Sequence, residues 1–343
     1  MKFPFFFRQG ILLALALVAL ASWAHPARAG ITVAGDYNPA NEAFWTGGGN
    51  SGTSGYIGNT GTGTLAITGS STLQLMDATA GYVAGSNGIV TLNGGTLAVA
   101  HSVNVGNSGT GSLTINGGAV TAGLSVAIGA TATGQGSLTI SAGSLVISDA
   151  AGLTVGARGR GSLLVTGGTI SCGGGIVGGV GPGSNNATIT GRGSLWTIAA
   201  NLTVGLGSSN NSLTLSDGGL VKVGDANGDI IQFNVGGTGN VLQLGDGYLA
   251  LYGDQTAYIG TLIAAGDIQL WDGSAWVTNT DTANYSYTYF ATNAAAQAFT
   301  GYDDLGGYTV LTPVPEPGAW RLIGLGCLAI LFFLRRKKTA RTA

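Results

Sequence analysis

One alternation of apolar and polar positions recurs along the chain about every 25 residues. It is clearest in "YIGNTGTGTLAITGSSTL" from Tyr56, "VNVGNSGTGSLTINGGAV" from Val103 and "VAIGATATGQGSLTISAGSL" from Val126. It returns in "LTVGARGRGSLLVTGGTI" from Leu153 and "LTVGLGSSNNSLTLSDGGLV" from Leu202, with looser copies from Tyr82 and Ile176. Each unit opens on a short apolar run ending in glycine, passes a Gly/Ser/Thr/Asn turn, and enters an alternating strand such as "SLTIN". A Gly-Gly turn and a second alternating strand follow. Marking units by the glycine after the first apolar run gives Gly58, Gly85, Gly106, Gly129, Gly156, Gly178 and Gly205, spaced 27, 21, 23, 27, 22 and 27 residues apart.

The period within each strand is two, so Leu113 and Ile115, or Leu138 and Ile140, point one way while Thr114 and Thr139 point the other. A single unit is a thin β-layer that cannot bury its apolar side. Stacked units build a continuous interior column, with glycines in the turns that need positive φ. The pattern predicts an all-β chain, a parallel β-helix (β-solenoid), with an antiparallel β-sandwich as the alternative, since short strands at regular spacing suit both. The recurrence of "LTVG" at one place in each unit favours in-register stacking. Seven units at the inter-strand spacing give a body about 35 Å long.

The repeat divides the chain. Residues 30–54 lack it, contain Trp45, and are expected to cap the open end, where unpaired backbone otherwise invites aggregation. Residues 55–229 are the solenoid repeats. Residues 230–312 hold eight of the eleven tyrosines and the pair Trp271 and Trp276, and read as β-rich final rungs with a cap. Within them "TNAAAQAF" (Thr292–Phe299) reads as one short helix.

Composition narrows the class. Gly supplies 63 of 343 residues and only 8% are charged, yet no Gly-X-Y triplet runs through the chain, which excludes collagen. Apolar content of 45% excludes a disordered low-complexity chain. The net charge of −2 hides an asymmetry: between Gly30 and Thr312 stand four cations (Arg158, Arg160, Arg192, Lys222) against fourteen carboxylates. So acidic a body lacks the Lys and Arg that phosphates require, which argues against nucleic acid.

Candidate chemistry is sparse. From Gly55 to Ser216 the charged or titrating groups singled out are Asp77, Asp149, Arg158, Arg160, Arg192 and His101. No Asp/Arg/Lys set recurs at rung spacing, as acid–base or metal-assisted glycan cleavage requires. His101 reads as a solvent-facing rung residue, and Cys172 as a small buried filler with no cation near it in sequence to lower its pKa. Asp225, Asn227 and Asp229 fall at positions one, three and five of a calcium loop, but Ile230 replaces the required glycine and Gly236 the twelfth-position glutamate, so an Asx-Gly turn is the better reading. Thr114, Thr139, Thr166 and Thr214 fall on strands without a Thr-x-Thr on one face of a rung, which leaves ice binding a minor alternative. An enzyme, if there is one, would use the acidic stretch between Asp217 and Asp272. No cofactor or metal ligand set is assigned.

The two ends read as targeting segments. Lys2 and Arg8, the apolar run Ile11–Ala24, and small residues at Ala27 and Ala29 form a secretory signal peptide (residues 1–29), leaving Gly30 as the mature start. Residues 313–343 have three parts: a rigid "PVPEP", an apolar run Leu322–Leu334, and a basic end from Arg335 to Lys338. Thirteen residues of helix span only about 20 Å, short for a bilayer core. The basic end favours the cytoplasmic side, leaving the repeats outside.

This tripartite end, with Pro315, Glu316 and Pro317 as its motif, closely resembles the PEP-CTERM sorting signal of bacterial exported proteins. The repeats, Leu153–Gly168 above all, resemble the autotransporter- and PEP-CTERM-associated repeat. The resemblance implies export by the Sec machinery, cleavage by signal peptidase, transient retention in the inner membrane, and processing by an exosortase. It further implies display at the cell surface or release beside extracellular polysaccharide, in biofilm-forming bacteria. It supplies no catalytic residue. The expected protein is a non-enzymatic structural or adhesive β-solenoid, with a carbohydrate-active β-helix enzyme and a calcium-binding adhesin as alternatives.

Overall fold

A computed structural model describes residues 30–225 and 228–314. The signal-peptide positions Ala27 and Ala29, the motif Pro315, Glu316 and Pro317, and Asn227 of the calcium-like loop lie outside the described residues, as does the apolar run Leu322–Leu334. The chain is all-β, a stack of parallel rungs making a β-solenoid of about nine turns rather than a sandwich.

Every complete rung has three sides. The first is a short strand: Gly55–Ile57, Ala78–Ala80, Ser102–Val105, Ser125–Ile128, Gly152–Val155, Gly175–Val177, Leu202–Val204 and Ile231–Phe233, each parallel to the next. The second and third sides are one long bent strand in the early rungs, as in Thr110–Ala122 and Gln135–Ile147. Later rungs split them, as in Ser212–Ser216 and Leu220–Val223. Like sits on like: Leu113 pairs with Leu138, Leu138 with Leu163, Leu163 with Ala187, Ala187 with Leu213, and Leu213 with Leu242. These inward positions are buried almost completely, and each large aliphatic contributes about 1.5–3 kcal/mol by leaving water.

The turn from first to second side explains the recurring glycine. Gly58, Gly81, Gly106, Gly129, Gly156, Gly178 and Gly205 all have positive φ there, and Asn234 takes the position in the eighth rung at φ 57°. A Cβ on Gly106 would stand 2.1 Å from the carbonyl oxygen of Gln135 in the next rung, so any side chain collides with backbone. The second marker is thus Gly81, not Gly85: the rung opens on Ala78–Ala80, whose small side chains hide it in sequence. The corrected steps are 23, 25, 23, 27, 22, 27 and 29 residues.

Both ends are closed largely by strands that run against the stack, the two-residue Gly49–Asn50 lying parallel on the third side of the first rung. Gly30–Gly35 pairs antiparallel with the second side of the first rung, and Tyr37–Asn38 pairs antiparallel with its first side. A short helix α1 (Glu42–Thr46), capped by the Asn41 side chain, seats Trp45 fully buried over the open core. At the other end helix α2 (Thr256–Ala265) lies where a ninth first-side strand would be, and its Tyr258 hydroxyl donates to the Ile231 carbonyl. Ile268–Trp271 continues the second side in parallel, and Tyr308–Pro313 closes the third side antiparallel to Tyr248–Tyr252.

Helix α3 (Asn293–Thr300), capped by Thr292, forms where the alanine-rich stretch predicts it. It folds back over the outer face of the third side, and Ala296, Leu305, Tyr308 and Val310 bury a second small core with Leu220 and Ala250. Two of the body's four cations fasten it: Lys222 Nζ lies 3.0 Å from Asp304 Oδ2 and 4.6 Å from the Tyr308 ring, and Arg192 reaches the Gly301 carbonyl.

Candidate binding face and terminal groove

Because the rungs are in register, outward residues of the second side also form columns. One runs Ser112, Ser137, Ser162, Asn186 and Ser212; the next runs Thr91, Thr114, Thr139, Leu164, Thr188 and Thr214. A third runs Asn93, Asn116, Ser141, Thr166, Thr190 and Ser216. Its members bond along the stack: Asn116 donates to Asn93 at 2.9 Å, Ser141 to Asn116 at 2.8 Å, and Ser216 to Thr190 at 2.9 Å. The result is a face made mainly of hydroxyls and amides, spaced by the distance between strands, with Leu164 within it and Arg160, opposite Gln135, at its edge. Thr188 and Thr190 stand on this face within one rung, so the expectation that no rung carries Thr-x-Thr does not hold.

The third column ends in a groove. Leu244 pairs with Leu270, so the next residues, Gly245 and Trp271, face outward together. Trp271 is 50% exposed and meets Trp276 edge to face, ring centroids 5.4 Å apart. Asp217, Asp246, Asp272 and Asn279, with Val314, complete the walls of a space of about 720 Å3. Of the acidic stretch named from sequence, Asp217, Asp246 and Asp272 are gathered around two indoles, whereas Asp225, Asp229, Asp254 and Asp267 do not line the groove.

Its carboxylates are hydrogen-bond acceptors already engaged in turns. Asp272 Oδ1 accepts from the Ser274 and Ala275 amides at 2.8 and 2.7 Å and from the Ser274 hydroxyl at 2.9 Å. The Ala275 amide, then the Ser274 amide, hold its pKa below the ordinary carboxylate value. A general acid in glycan cleavage requires the opposite shift. Asp217 accepts from Thr190 Oγ1 at 2.6 Å, and Asp246 accepts from the Asp217 amide. Among the described residues no group of three His, Cys, Asp or Glu side chains is placed to hold a metal ion. Such an arrangement can orient hydroxyl donors and stack a ring.

The remaining sequence candidates stand apart from the groove. His101 is exposed at the corner between the second and third rungs, its Nδ1 4.0 Å from Asp77, which also accepts from Ser54 Oγ and the Ser102 amide. Cys172 is buried, receives the Trp196 indole N–H at 3.3 Å, and burial pushes its thiol up to about 11, so it is a core filler. Asp149 caps its own turn by accepting from the Ala151 amide. Arg158 is exposed in the turn between first and second sides, and Arg160, also exposed, opens the second-side strand Arg160–Val165. Sequence reasoning missed Asn279 and the roles of Asp246 and Gly245, which only the closing of the ninth turn brings to Trp271.

Among the described residues no helix is long and apolar enough to cross a membrane. Comparison with protein-family models, curated proteins and solved structures finds no match.

Proposed function

We propose that the chain is an exported, non-enzymatic β-solenoid, sorted through its Pro315-Glu316-Pro317 tail by an exosortase-type enzyme. It serves at the cell surface or in the extracellular matrix as a structural or adhesive module beside exopolysaccharide. The observation that carries this reading is the second-side face: columns mainly of Ser, Thr and Asn over successive rungs, interrupted by Leu164 and edged by Arg160, on a stacked scaffold. A polysaccharide presents hydroxyls of both hydrogen-bonding senses, and such a face offers donors and acceptors in return. The engaged carboxylates of the groove favour binding over glycan cleavage.

Fractionation of the producing cells with mass spectrometry of the mature protein tests the reading. The expected species starts at Gly30, lacks the basic end, and is recovered from the surface or the medium. A full-length C-terminus resident in the inner membrane would overturn the sorting step, and a cytoplasmic chain starting at Met1 would overturn export.

A further inference from the structure

We infer that the groove at the C-terminal end of the solenoid is a specific binding site for a neutral polysaccharide chain, with Trp271 as its stacking platform. This rests on the reading of the protein as a partner of extracellular glycan and names the place and chemistry of the contact.

Three observations meet here. Trp271 is half exposed, although an indole is among the costliest side chains to leave in water, and Trp276 braces it edge to face instead of covering it. An exposed, braced aromatic ring matches the apolar C–H face of a pyranose. Beside it, Gly245 contributes no side chain, so the ring stands over open space rather than against a neighbour. The polar walls are acceptors from Asp217, Asp246 and Asp272 with the amide of Asn279, which suit sugar hydroxyl donors.

Charge selects the class of glycan. The lining carries three carboxylates and no Lys or Arg. Two of the body's cations are committed to the cap, and the remaining pair, Arg158 and Arg160, lies several rungs away. A uronate- or sulfate-bearing chain would meet like charge, whereas a neutral chain does not. Direction follows from continuity. Thr190 and Ser216, the last hydroxyls of the third column, lead directly to Asp217 and then to Trp271, so a chain held in the groove extends along the column.

The test is a titration of the full-length protein, followed by tryptophan emission and by calorimetry, with cellohexaose as neutral probe and hexaguluronate as anionic probe. The expected result is saturable binding of cellohexaose, at least about tenfold weaker for Trp271→Ala, with hexaguluronate failing to compete at low salt. Trp271→Phe, which keeps a ring, should restore part of the affinity, and unchanged circular dichroism shows that the variants fold. Equal affinity in Trp271→Ala, no binding of cellohexaose, or equal binding of the anionic probe would each overturn the inference. So would a photo-crosslinker at Val277 that captures residues 315–343 or a second copy in place of sugar. An exported chain that binds no hexaose refutes the groove alone, and a cytoplasmic chain that binds through Trp271 refutes export alone.

Discussion

Asn211 carries one acceptor oxygen and two amide donors, and its place inside the turn from first to second side leaves no water to satisfy them. It is satisfied by its equivalents one rung away. Its Oδ1 accepts from the main-chain and side-chain N–H groups of Asn185 at 3.0 and 2.9 Å, and its own amide donates to Asn240 and Ser208. Asn185 in turn accepts from the Gly161 amide, so the ladder begins where the glycines of the earlier rungs end. Asn211→Ala leaves buried groups on both neighbouring rungs unpaired and should cost about 3 kcal/mol, read as a fall in the urea midpoint. Asn186→Ala, on the open face one residue from the ladder, should stay within about 0.5 kcal/mol. Similar losses for both would refute the ladder's role. The strings "SNN" at Ser184–Asn186 and at Ser209–Asn211 hold the clue, yet the first asparagine is the ladder residue in one and the second in the other. Loop length decides which, seven residues from Gly178 to Asn185 against six from Gly205 to Asn211, so the ladder was not legible without the stack.

The strands of the rungs were legible because their period of two and their paired apolar positions set the buried face unaided. Gly81 was not, since Ala78–Ala80 presents too little apolar contrast to mark a strand. Helix α3 shows in its alanines and Thr292 cap. Helix α2 does not: "TAYIGTLIAA" mixes β-branched and aromatic residues with Gly260, its Gln255 makes no side-chain cap, and only docking against Ile231 settles its form. The N-terminal cap is tied to the first rung by Asp36, whose carboxylate accepts from the Thr60 and Gly61 amides and the Thr60 hydroxyl. The Gly61 amide, then that of Thr60, lowers its pKa from the ordinary 3.8. A lowered carboxylate pKa means that the docked cap is favoured above pH 3.8 and loses that support as pH falls through the folded value. The protection factors of the Gly30–Gly35 amides, taken against the intrinsic exchange rate at each pH, should therefore fall on acidification below pH 3.8 while the mid-stack strands stay protected. Asp36→Asn should weaken protection at neutral pH and flatten the acid response. An unchanged acid response in Asp36→Asn would rule out this carboxylate as its source.

A stack of parallel rungs is an open template at each end, because every strand offers the next one a full edge in register. The main closing strands here run antiparallel, Gly30–Gly35 on the first rung and Tyr308–Pro313 on the last complete one, and the parallel strand Ile268–Trp271 is itself covered by the antiparallel Trp276–Thr278. The N-terminal closure is thin. It rests on Ile31 and Val33 facing the core and on Trp45 covering it, and the strand beneath, Thr62–Leu75, carries no charge from end to end. Replacing Ile31 and Val33 together with Asp puts two carboxylates against the core and should lift this cover while leaving the other rungs stacked on their neighbours, since each rung depends on those adjacent to it. The bared first rung should then recruit a second molecule. Sedimentation velocity is expected to show association that rises with protein concentration in the double variant, with far-ultraviolet circular dichroism retaining most of the β signal. A variant that stays monomeric with the cap undocked would show that the antiparallel strand is not what keeps solenoids apart, and wholesale unfolding would show that stability is shared along the entire stack instead of rung by rung.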